Sequence, residues 1–95
     1  FGKAECAVDE AVVGISQSPS LNMSKISCAP LAGAHITRCA ALPFSSTSDK
    51  RLDTTSGDWA PGYSKNECSQ DQVIKGVSTK STHEIHAILC CNVGP

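Results

Sequence analysis

Aromatic residues are nearly missing from this chain of 95 residues: Phe1, Phe44, Trp59 and Tyr63 are all it has. A chain this short buries only roughly 60–65% of its unfolded surface. A core of Val, Ile, Leu and Ala, with so few rings to fill it, needs outside support. Excess charge of either sign is also missing, with 8 Lys and Arg against 9 Asp and Glu. No basic stripe exists, which excludes a nucleic-acid footprint. No apolar run approaches the roughly 20 residues of a membrane-spanning helix, so no membrane span is expected. Catalytic signatures are absent too: there is no G-x-S-x-G, no H-E-x-x-H and no unpaired cysteine to act as a nucleophile. Catalysis is therefore not expected. A Ser/His/Asp set can be picked from any serine-rich chain and carries no weight alone.

What the chain does have is six cysteines and a repeat. None of the cysteines forms a C-x-x-C pair, and the adjacent Cys90 and Cys91 cannot chelate one zinc ion in the usual way. Disulfides in an oxidising compartment are expected instead, with no metal and no cofactor implied. Residues 1–29 and 63–91 align without a gap at an offset of 62, and eight of the 29 pairs are identical. Lys3, Glu5, Cys6, Asp9, Gly14, Ser16, Ile26 and Cys28 recur as Lys65, Glu67, Cys68, Asp71, Gly76, Ser78, Ile88 and Cys90. One domain, residues 1–95, thus carries two copies of one unit joined by a link over 30–62. Copy two has the lead-in Asp58-Trp59-Ala60-Pro61-Gly62, whereas copy one opens at Phe1, the partner of Tyr63. That difference suggests a processing point inside a longer precursor.

The repeat prunes the fifteen pairings that six cysteines allow. The symmetric solution is Cys6–Cys28 and Cys68–Cys90, each closing a loop of about 23 residues worth roughly 3 kcal/mol. Cys39 and Cys91 have no counterparts and are left to each other. Neighbours on a strand point to opposite faces, so Cys90 and Cys91 can serve different partners. The symmetric rival, Cys6–Cys90 with Cys28–Cys68, stays open at this stage; peptide mapping of the unreduced protein separates the two.

Short β-branched runs bounded by polar turns place strands at 11–16, 23–28, 73–78 and 85–91, with a further candidate over 34–42. For that last segment a short helix over 38–42 is the alternative. Gly14 and Gly76 recur inside a strand, which suggests a bulge or a close backbone approach. The strand at 85–91 is apolar on both faces and is expected to be central, with 23–28 nearer an edge. The fold class is all-β: a small disulfide-stapled sandwich or barrel built from two pseudo-symmetric repeats.

Several residues are candidates for chemistry. Trp59 and Tyr63, on a turn with Pro61 and Gly62, could form a stacking platform for a sugar ring, with Asp58, Lys65 and Asn66 binding hydroxyls. The competing expectation is that Trp59 caps the small core and Tyr63 packs as Phe1 packs in copy one. The recurring Lys-x-Glu-Cys reads as a surface ion pair beside the first cysteine. His83 and His86 point to opposite faces of a strand, which disfavours one shared metal ion. Asp53, Ser56 and Asp58 around Gly57 could offer oxygens to calcium, but the spacing fits no EF-hand loop. Asn22-Met23-Ser24 is a formal glycosylation sequon, with meaning only in a eukaryotic secretory host.

The run Asp58-Trp59-Ala60-Pro61-Gly62-Tyr63-Ser64-Lys65-Asn66-Glu67-Cys68, followed by Gly76-Val77-Ser78 and His86-Ala87-Ile88-Leu89-Cys90, resembles a disulfide-rich two-repeat ancillary module of secreted bacterial proteins. The likeness covers copy two well, copy one moderately, and leaves 31–56 uncovered. It implies secretion and a non-catalytic role beside a parent enzyme or surface protein in the same precursor. The resulting expectation is a module that binds a polysaccharide or other glycan. The alternative is a disulfide-rich protease inhibitor or toxin-like effector that makes contact through the loop over 43–62.

Overall fold

The structure is a computed structural model, and it describes residues 1–52, 55 and 57–95. Among the described residues six strands form in chain order: β1 (Gly2–Glu5), β2 (Glu10–Gln17), β3 (Met23–Pro30), β4 (His35–Pro43), β5 (Gln72–Thr79) and β6 (Ile85–Gly94). No helix forms among the described residues, and 38–42 belongs to β4 rather than to a helical turn. Two sheets result. One has the order β1-β5-β6-β4 and the other is the β2–β3 hairpin. The fold is thus a small all-β, disulfide-rich one.

The apolar strand β6 is central, between β5 and β4, because both its faces can be covered. Val77 of β5 with Ile88 and Cys90 of β6 form the buried centre. Met23 and Ile26 of β3 pack on it from the other sheet, and Leu42, Phe44, Cys68, Ile74 and Ile85 close it. The disulfides are Cys6–Cys28, Cys68–Cys90 and Cys39–Cys91. Cys90 and Cys91 diverge as strand neighbours should, one to Cys68 and the other across to Cys39.

The hairpins β2–β3 and β5–β6 agree residue by residue at the offset of 62. Val12 faces Cys28 and Ile74 faces Cys90; Gly14 faces Ser27 and Gly76 faces Leu89. Both ladders shift register just before the glycine and again near the hairpin end. Asp9 and Asp71 have positive φ (54° and 65°), as do Leu21 and His83 (68° each). Ser18 N–H donates to Asn22 O and Leu21 N–H to Ser18 O; Lys80 with Glu84 and His83 with Lys80 repeat both bonds. The surroundings of the hairpins differ, however. β1, from copy one, pairs with β5 of copy two, and β4 covers β6, while β2–β3 stands as a two-stranded sheet. Gly76 explains β1's seat. A Cβ there would lie 2.9 Å from Ala4 O and 3.3 Å from Glu5 Cα. At Gly14 the nearest atom is Ser27 Cβ at 3.6 Å, an ordinary contact.

Candidate functional site

The loop between β4 and β5 is organised around Lys65. This side chain is only 3% exposed, the one buried charged residue among those described. A buried ammonium is tolerated only when its protons are all bonded. Lys65 Nζ donates to Asp49 Oδ1 at 2.8 Å, Asp58 Oδ2 at 3.1 Å and Tyr63 O at 2.7 Å. The Asp49 bond, aided by Asp58, raises the Lys65 pKa above the usual lysine value, so the cation is kept. The Ala60 N–H, donated to Asp58 Oδ1 at 2.9 Å, and then Lys65 hold the Asp58 carboxyl below the usual carboxylate range. Backbone bonds complete the brace: Lys65 N–H to Ser48 O at 2.9 Å and Lys50 N–H to Lys65 O at 3.1 Å.

The surface ion pair expected for the two Lys-x-Glu units therefore does not form in either copy. Lys65 turns inward because the loop brings it two carboxylates that no local pattern announces. Glu5 pairs instead with Lys75 at 2.9 Å. Glu67 Oε2 accepts the Leu52 N–H at 2.7 Å.

Above this brace sits the aromatic turn. Tyr63 N–H donates to Ala60 O at 3.2 Å, and Gly62 takes a φ of 83°, which a residue without a Cβ adopts at no steric cost. The expectation that Trp59 caps the core and Tyr63 packs is overturned: Trp59 is 65% exposed and Tyr63 76%. The core is closed by Phe44 and Leu42, among others, instead. Trp59 borders a shallow depression of about 450 Å³ lined by Leu52, Asn66, Glu67, Gln70, Asp71 and Gln72, among others. Tyr63 does not line it. Asn66 is anchored there by donating Nδ2–H to Pro43 O at 2.9 Å. Of the five residues picked from sequence, Trp59 and Asn66 meet at the depression, Asp58 and Lys65 support it, and Tyr63 stands apart on the same turn. Glu67, Gln70, Asp71 and Gln72 were not picked. Glu67 and Asp71 recur in both copies, which marked them as framework, and Gln70 has no distinguishing signal.

No family model, curated protein or solved structure matches the chain.

The histidines take separate paths. His83 lies in the exposed β5–β6 turn. His86 stacks on Phe1 with ring centroids 3.9 Å apart and planes 16° apart, and its Nδ1 shares a 3.0 Å hydrogen bond with Ser78 Oγ. Phe1 and His86 flank a groove of about 360 Å³ on the four-stranded sheet, which reaches Ala41 and Leu89. His35, in β4, donates Nδ1–H to Asp9 Oδ2 at 2.8 Å, and Ile36 N–H donates to Asp9 Oδ1 at 3.0 Å. These two bonds, the histidine's first, lower the Asp9 pKa. Among the described residues no group of three or more His, Cys, Asp or Glu is placed to hold a metal ion. Asp53 and Ser56, two of the three calcium candidates, lie outside the described residues. Among the described residues no helix is long and apolar enough to cross a membrane.

Proposed function

We propose that the chain is a non-catalytic module of a secreted protein that binds a polysaccharide, with Trp59 as its contact ring. The observation that carries this reading is an indole left in water on a braced turn, beside a largely apolar depression that also carries Asn66, Gln70 and Asp71. Contiguous exposed apolar surface, rather than a single exposed residue, marks a contact site, and Trp59 shares the depression with the exposed Leu52. A pyranose offers a C–H face that an indole can cover and hydroxyls that need donors and acceptors. Asn66, Gln70 and Asp71 line the depression and supply both kinds.

Lys65 and Asp58 act one layer down in this scheme. Their polar atoms are bonded within the protein, so they hold the platform in place rather than touch the sugar. Preorganisation of that kind lowers the ordering cost of binding. Tyr63 is exposed on the same turn, outside the depression. Three disulfides and the likeness of 58–68 and 86–90 to an exported module support secretion and an ancillary role beside a parent enzyme or surface protein. The matching hairpins support descent of both halves from one unit.

The test is electrophoresis of the native protein through gels carrying a panel of insoluble and soluble polysaccharides. Trp59→Ala should lose retention by about tenfold or more, equivalent to roughly 1.5–3 kcal/mol for one buried aromatic contact. Its melting curve should match that of the parent, since Trp59 supports no core contact. Retention equal to the parent's refutes the site. Absence of parent retention across the panel refutes the reading.

A further inference from the structure

The three disulfides are not equally open to attack. Each has one deeply buried end: Cys6 at 4%, Cys90 at 5% and Cys91 at 0% exposure. Exchange rate depends on the attacking thiolate, on the leaving sulfur and on access. A thiolate must approach the outer sulfur, so in every case the leaving sulfur is the buried one, and that factor is similar for all three. Access decides between them. Cys28 and Cys68 are only part-exposed, and Cys68 packs against the core cluster. Among the cysteines Cys39 alone is exposed, on β4, one of the two edge strands of the larger sheet.

Register adds a second, independent feature. Cys39 lies directly opposite Cys91, and the next pair on the same face is Ala41 opposite Leu89. Ala41 and Leu89 line the 360 Å³ groove that runs towards Phe1 and His86. The exposed disulfide thus sits one residue pair from the end of a groove that can seat the side chains flanking an incoming cysteine. Cys39 and Cys91 are the two cysteines without counterparts at the offset of 62, and β4 is also joined to β6 by ladder pairs on both sides of the bond, from His35–Gly94 to Pro43–Ala87.

We propose that Cys39–Cys91 is a thiol–disulfide exchange site whose substrate is a dithiol, small or protein-borne, and that it opens ahead of the other two bonds. A thiolate of the dithiol attacks Cys39 Sγ. A new S–S bond forms to Cys39, the Cys39–Cys91 bond breaks, and the electron pair leaves on Cys91 Sγ, which takes up a proton. The second thiolate of the dithiol then closes on its neighbour and releases Cys39 as a thiol. The dithiol is oxidised by two electrons and the protein is reduced by two.

The experiment is limited dithiothreitol treatment of the folded chain, quenched at intervals by alkylation and followed by peptide mapping. The expected first product carries label on Cys39 and Cys91 only, formed roughly tenfold faster than label at any other cysteine. Glutathione, a monothiol, should leave its mixed disulfide on Cys39. The double variant Cys39→Ser/Cys91→Ser should lose the fast phase while keeping the other two bonds. Simultaneous opening of all three bonds, earlier label on Cys6, Cys28, Cys68 or Cys90, or glutathione found on Cys91 overturns the proposal. The mapping on the parent chain decides the matter even if the double variant fails to fold.

Discussion

Gly14 and Gly76 hold equivalent places in the two hairpins, yet alanine should act on them with opposite sign. At Gly76 the added Cβ would meet Ala4 O at 2.9 Å and Glu5 Cα at 3.3 Å, both parts of the β1 backbone. Neither can swing aside as a side-chain end could, so β1 must move off β5 and distort the four residue pairs that join them. Overpacking of this kind costs about 1–3 kcal/mol. At Gly14 the nearest atom is Ser27 Cβ at 3.6 Å, and among the described residues no third strand pairs along the open edge of β2. There the methyl group fits, and the smaller freedom of the unfolded chain should stabilise by about 0.4–1 kcal/mol. The same gain offsets part of the Gly76 cost, so the two variants should differ by about 2 kcal/mol, with the parent between them. For a domain of this size that corresponds to melting temperatures separated by about 8–16 °C. Urea and thermal unfolding with disulfides intact measure it. Equal shifts at both sites, or a more stable Gly76→Ala, would refute the claim that β1's close approach is what reserves position 76 for glycine.

Two other outcomes follow from charges. Lys65→Met leaves Asp49 and Asp58 facing each other beneath the aromatic turn; fluorescence anisotropy of Trp59, the single tryptophan, should fall as the turn loosens, and polysaccharide retention should fall with it. The pH dependence has a definite sign: Asp9 and Asp58 have lowered pKa values in the folded chain, so their contribution to stability is full above the ordinary carboxylate value and is lost as pH falls through the lowered one. Denaturation midpoints should therefore be flat above about pH 5 and drop in more acid solution, and Asp58→Asn should flatten that drop, which urea titrations from pH 2 to 7 would record.

Local features of the chain were legible wherever neighbours in sequence carry the physics. The runs at 11–16 and 73–78 have β-branched residues between polar turns, and they lie within β2 and β5. The continuous apolar run of β6 marked the central strand because only a strand covered on both faces tolerates it. What stayed hidden depends on residues far apart in the chain. Lys65 looks like any surface lysine until Asp49 arrives from 16 positions away. β1 resembles a short polar end, and its pairing with β5 rests on the missing side chain of Gly76. The left-handed backbone at Leu21 has no compositional signal, since leucine rarely takes positive φ and the hairpin geometry imposes it; His83, at the equivalent place, is a residue type enriched there. The exposure of Trp59 leaves it a candidate contact, while Lys65, a candidate hydroxyl binder by sequence, has its ammonium taken up by Asp49, Asp58 and Tyr63 O.

The adjacency of Cys90 and Cys91 has a consequence for connectivity. Following the chain from Cys39 to Cys68, across to Cys90, along one peptide bond to Cys91 and back to Cys39 traces a closed covalent ring. The aromatic turn lies on that ring, anchored at both ends to neighbouring positions of one strand. A protease that nicks the loop anywhere between 40 and 67 yields two pieces that remain one molecule, joined through Cys39 and Cys91 alone. A single exposed sulfur–sulfur bond is then what keeps the halves of a nicked chain together.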